Sequence, residues 1–137
     1  MAIRQTPNAK EIKLTVSSAA FSGIDLDPSI TTDGFPVSGY TRLGVTLEYT
    51  YNAATDVSMY VEYSIDGGST WFRGQDISVS SGTGTSSDAS WVKSVSADDD
   101  WIWTLNLDAA GHARLVFDAT GATASDLLTC KAMLVKD

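Results

Sequence analysis

A chain of 137 residues fits one domain, and a domain of that size buries roughly two-thirds of the surface its unfolded chain exposes. With 43% hydrophobic and 19% charged residues, it has the composition to sustain a core, which excludes disorder for the chain as a whole. The net charge of −8, with nine basic residues scattered singly, argues against binding nucleic acid. No apolar run approaches the ~20 residues of a membrane helix, so no membrane partner is expected.

The N-terminal segment, residues 1–10, holds Ile3 as its one large apolar residue besides Met1. It lacks the apolar run of a secretory signal, so the protein is expected to be made in a cytoplasm. The segment is predicted to be an extended arm, with one β domain over residues 11–137. The arm is either free or ordered against a neighbouring subunit, in which case Ile3, Arg4 and Gln5 are its contacts. A strand is predicted around Glu11 to Val16. Ser17 to Gly39 contains Pro28, Asp33-Gly34 and Pro36 and reads as a long irregular excursion.

Thr41 to Tyr51 then alternates, with Leu43, Val45, Leu47, Tyr49 and Tyr51 on one face. After Asn52 to Asp56 the pattern restarts, and Val57, Met59, Val61, Tyr63 and Ile65 share a face. Two alternating runs joined by a short polar link predict an antiparallel hairpin. Trp71 to Val79 and Ser90 to Val95 are weaker strands. Between them, Ser80 to Ser87 has no apolar residue and predicts a mobile loop. Trp101, Trp103, Leu105 and Leu107 alternate again, Asp108 to Gly111 makes a turn, and a strand runs from His112 to Phe117. Asp118 to Asp126 reads as a small-residue loop, and Leu127 to Val135 as the last strand. Fourteen of the seventeen acids are Asp, a residue of turns and strand ends. The fold class is therefore all-β: a single antiparallel β-sandwich of about eight strands, jelly-roll or immunoglobulin-like.

Candidates for chemistry are few. Cys130, the single cysteine, excludes an internal disulfide and sits in an apolar strand, where a buried structural thiol is expected. Asp98, Asp99 and Asp100 are adjacent and predict a solvated turn rather than a calcium site. His112 has no second histidine to complete a metal site and is expected at the surface. No nucleophile–base set, phosphate loop or paired-carboxylate signature stands out. The expectation is a non-enzyme with no catalytic residues, no cofactor and no metal. Trp101 and Trp103 share a face and are expected in the core. An outward-facing tryptophan would instead suit a sugar.

One motif is specific. Ser64-Ile65-Asp66-Gly67-Gly68-Ser69-Thr70-Trp71 resembles the Asp-box, S-x-D-x-G-x-x-W, of sialidase-like propellers. In this reading Asp66 accepts hydrogen bonds from its own turn, Gly67 and Gly68 take positive φ, and Trp71 plugs the hairpin. The box is a structural turn, formed by Ser64, Asp66, Gly67, Gly68 and Trp71, and it occurs once. The chain as a whole, with its Asp/Ser/Thr/Ala/Gly-rich loops, its Val and Thr strands and this "EYSIDGGSTW" turn, is similar to tailed-bacteriophage capsid decoration (cement) and accessory virion proteins. That resemblance implies a virion location on the capsid surface. The implied partners are the major capsid protein and copies of the chain itself, as a trimer, with residues 1–10 as the clamp. A tail or head-tail connector component and a carbohydrate-binding β-sandwich module are the alternatives.

Overall fold

The computed structural model describes residues 9–107 and 111–136. Its strands, in chain order, are β1 (Ala9–Ile12), β2 (Thr15–Val16), β3 (Ala19–Ala20), β4 (Ile24–Asp25), β5 (Ser29–Thr31), β6 (Phe35–Pro36), β7 (Arg42–Thr50) and β8 (Asp56–Ser64). They continue as β9 (Phe72–Arg73), β10 (Gln75–Ser80), β11 (Thr83–Asp88), β12 (Trp91–Ser94), β13 (Asp99–Asn106), β14 (His112–Thr120) and β15 (Leu127–Val135). No helix occurs among the described residues.

Two sheets carry the domain. In the first the order is β1-β15-β7-β13, with β4 beside β1 on the same edge of β15. In the second the order is β12-β8-β14-β5, with β6 beside β5 on β14 and β9 on β8. Every pairing is antiparallel. If β1 with β4, and β5 with β6, are taken as interrupted edge strands, each sheet has four positions. The chain changes sheet at every step except from β8 to β12, which are neighbours. That winding is a double-sheet jelly roll rather than an immunoglobulin topology.

The alternation seen in the sequence sets the two inner faces. Leu43, Val45, Leu47 and Tyr49 of β7 lie beside Leu128, Cys130, Ala132 and Leu134 of β15, all buried. Against them pack Val57, Met59 and Val61 of β8 and Ala113, Leu115 and Phe117 of β14. Phe21, from the excursion after β1, meets Phe117 edge to face with centroids 5.4 Å apart. The excursion is thus not idle: Phe21, Leu26, Ile30, Phe35 and Val37 all reach the core. It is built of four short strands rather than irregular chain.

Three expectations need correction. First, β7 and β8 do not form a hairpin. They lie in opposite sheets, and residues 51–55 arch across the sandwich. Alternating burial marks a strand with one face inward, and two such strands bury those faces equally well by facing each other. Second, Ser80 to Ser87 is not a loop. Thr83 to Asp88 pairs with Gln75 to Ser80 over six residues around the two-residue turn Ser81-Gly82, with φ of 51° and 77°. Those angles suit the primed turn that matches strand twist, and glycine takes the second position at no steric cost. Third, β14 runs on to Thr120, because β8 supplies partners as far as Asp56. The first strand begins at Ala9, paired with Val135, two residues inside the segment expected to be an arm.

Candidate functional site

Residues 64–71 form the turn that leaves β8. Ser64 is fully buried. Its hydroxyl donates to Asp66 Oδ1 at 2.7 Å and accepts the Gly68 amide at 2.9 Å. Asp66 Oδ1 also accepts the amides of Ser69 at 3.1 Å and Thr70 at 2.9 Å. Gly67 and Gly68 have φ of 76° and 96°, a region glycine enters without strain. The Ser64 hydroxyl, with these amides, holds the Asp66 carboxyl down at about 2. Trp71 is half-buried and folds back over the second sheet. A Cβ at Gly34 would stand 2.8 Å from its ring, and the Arg114 guanidinium lies 4.5 Å from the ring centroid. Arg114 in turn donates to Glu62 at 2.8 Å. Ser64 and Asp66 spend their hydrogen bonds inside the turn, which fixes the direction in which the chain leaves it.

The chain leaves it into a projecting ribbon, β10–β11. All of the ribbon's strand residues are exposed. Gln75, Ile77 and Val79 share one face with Gly84, Ser86 and Asp88, because paired residues point the same way. Gln75 ties the base of this face, donating to Asp88 at 2.7 Å and accepting from Ser86 at 2.7 Å. Toward the tip, Ile77 and Val79 are 72% and 73% exposed. The other face is Asp76 with serines and threonines only. The ribbon's feet are close together, the Ala89 amide donating to Gly74 O at 3.1 Å.

One concavity lies beside this element and another on the first sheet. A cleft of about 320 Å³ opens between the ribbon's base, β8 and β13, and is lined by Tyr63, Gln75, Asp76, Trp91 and Asn106 among others. A groove of about 490 Å³ crosses the outer face of the first sheet. Register places Glu11, Met133, Gly44 and Thr104 in one row across that sheet. Gly44 leaves the floor open, with nothing within 4 Å of where a Cβ would stand. Ile102 and Met133, 61% and 45% exposed, stand to either side, and Arg42 and Lys131 are at the rim.

Asp126 is a residue that sequence reasoning missed. It is fully buried at the end of the loop before β15. Its carboxylate accepts the Tyr49 hydroxyl and the amides of Asn52 (2.8 Å), Ala53 (3.1 Å), Ala54 (3.2 Å) and Thr123 (2.8 Å). Burial alone raises its pKa, yet these donors outweigh it and hold the carboxyl well below the usual range. The same burial, with the neighbouring charge, pushes the Tyr49 phenol up. Asp126 thereby organises the arch between β7 and β8.

The remaining candidates are scattered. Cys130 is buried, and burial pushes its thiol up, away from reactivity. Asp98 accepts the Tyr51 amide at 2.8 Å, while Asp99 and Asp100 open β13. Among the described residues no group of three or more His, Cys, Asp or Glu could hold a metal ion. His112 is half-buried rather than exposed, opposite Ser64 and Pro36. Trp101 and Trp103 are half-buried and packed on the core, edge to face at 5.5 Å. Ile3, Arg4 and Gln5 lie outside the described residues.

Fold and surface together define an eight-position jelly-roll domain with a projecting amphipathic ribbon. No family model matches the sequence, and no curated protein does. Among solved structures, the chain is similar to the SPBc2 prophage-derived protein YomS, at 14% identity and a TM-score of 0.39 over 99% of this chain and all of that one. It is similar at the same identity, with a TM-score of 0.40, to the CBM22-1 xylan-binding domain of Paenibacillus barcinonensis Xyn10C, over 96% of this chain and 85% of that one. At this distance neither neighbour's role carries over.

Proposed function

We propose that the chain is a non-enzymatic structural protein of a tailed-bacteriophage virion, a decoration protein that binds the outer capsid shell and stabilises it. The observation that carries this reading is the ribbon. A two-stranded ribbon in water is marginal on its own, because ordering it costs backbone entropy that no buried surface repays. Here Ile77 and Val79 are held out to solvent on such a ribbon. An element of that kind gains its burial from a partner. The similarity in sequence style to phage accessory proteins supports the same reading. The partners are the major capsid protein and further copies of the chain, at the capsid surface.

The test is reconstitution. Purified protein is added to expanded shells that lack it, and occupancy and the shells' thermal resistance are measured. Saturable binding with a raised disruption temperature is the expected result. Binding to tails and not to heads would reassign the protein to the tail or connector.

A second reading has its own observation. The cleft beside the ribbon sets Trp91 and Tyr63 next to Gln75, Asp76 and Asn106. Aromatic faces with planar polar groups are the chemistry that holds a sugar ring. A glycan array decides this: a specific hit lost in Trp91→Ala would move the assignment to a carbohydrate-binding module.

A further inference from the structure

We propose that the apolar face of the ribbon β10–β11 in one copy docks across the outer face of the β1-β15-β7-β13 sheet in a second copy, over the groove centred on Gly44. The inference names a partner for the ribbon and rests on the reading of the ribbon as a contact element.

Shape is the first argument. Ile77 and Val79 form a knob, faced on β11 by the small residues Ser86 and Gly84. The groove is its counterpart: a floor with no side chain at Gly44 and apolar walls at Ile102 and Met133. Six paired residues make a ribbon roughly 20 Å long, and four strands make a sheet face roughly 14 Å across, so the ribbon spans the groove.

Charge is the second. Residues 75–88 contain Asp76 and Asp88 and no lysine or arginine. The chain carries nine basic residues against a net charge of −8. Arg42 and Lys131 line the groove, with Glu11 as its one acidic residue. Like charge repels most pairings between copies of so acidic a protein, and this pairing sets Asp88, on the ribbon's apolar face, against the two bases of the groove.

Ribbon and groove are different surfaces, so the contact is heterologous, and each copy offers one of each. One face of the ribbon is well below the ~800 Å² per partner of a stable binary interface. A closed ring, in which every copy uses both surfaces, is the form such a contact favours.

Sedimentation of the full chain tests this with two variants. I77D/V79D places charges on an already exposed face, and G44E fills the open floor. The wild type is expected as a closed oligomer, and each variant as a monomer with an unchanged melting temperature. Replacing residues 75–88 by Asn-Gly removes the ribbon altogether and is expected to reproduce the I77D/V79D result. A monomeric wild type, or an oligomer unaffected by either variant, would overturn the proposal. Shell occupancy measured in parallel separates the two readings. A monomeric wild type that still decorates shells rejects the ring alone, and a ring that binds no shell rejects the decoration role alone.

Discussion

Asp126 carries a carboxylate into a place with no solvent contact, and it is stable there because every neighbour donates to it. Buried carboxylates without partners protonate. This one is held charged by a hydroxyl and four amides, three of them from the β7–β8 arch. Asp126→Ala leaves those amides unpaired in the interior and is expected to cost about 3 kcal/mol, read by urea melts. Asp126→Asn keeps the shape and is expected to cost less. Asp66 and Asp33 are depressed as well, Asp33 by the Thr15 hydroxyl at 2.6 Å and the Ser18 amide at 2.7 Å. A carboxyl whose folded pKa lies below its unfolded value contributes stability above the unfolded value near 4, and that contribution is lost as pH falls through the folded one. The melting temperature is therefore expected to be level from about pH 5 to 7 and to fall below about pH 4, through Asp66 at about 2 and on below it as Asp126 protonates. Asp66→Ala is expected to melt lower at pH 7 and to show a shallower acid slope. An unchanged acid profile would mean that the turn does not draw on the charge.

At the scale of elements, the ribbon is separable. None of its strand residues is buried, and its feet are already joined by the Ala89–Gly74 hydrogen bond. Replacing residues 75–88 by Asn-Gly is expected to shift the melting temperature by no more than about 3 °C, because an exposed pair such as Arg73–Asp88 at 3.6 Å contributes little. A large loss would show that the ribbon supports the core. Its existence was hidden in the sequence for a physical reason. A strand with no buried face needs no apolar alternation, so Thr83 to Asp88 reads as a linker, and the Ser81-Gly82 turn is its one local signal. The strands with an inner face were legible, β7, β8, β14 and β15 above all. Which sheet each joins was not, since inward-facing residues look alike whether the partner lies beside the strand or across from it. The turn at 64–71 was legible because its bonds close within a few residues. The cleft, the groove and the Asp126 hub join segments many residues apart, and in a chain with fourteen aspartates nothing local singles out one.

For the whole molecule, the question is what holds it to its neighbours as distinct from what holds it together. The core is closed by strands that all lie between residues 9 and 135, with Ala9 opposite Val135 at one edge. Residues 1–8 add Ile3 and Met1 as their large apolar side chains. A deletion that preserves β1 must therefore stop at Asn8, since Ala9 and Lys10 of the expected arm belong to that strand. Such a deletion is expected to leave the melting temperature nearly unchanged, because the sandwich buries its own strands without a partner. If residues 1–8 clamp a neighbouring subunit, through added strand hydrogen bonds and Ile3, the same deletion lowers occupancy on shells, since those contacts exist in the bound state alone. The measurement is occupancy against concentration for full-length and truncated protein on the same shells. A rightward shift of tenfold or more, equivalent to ~1.4 kcal/mol of lost binding, is expected for a clamp. Superimposed curves would reject the arm as a clamp.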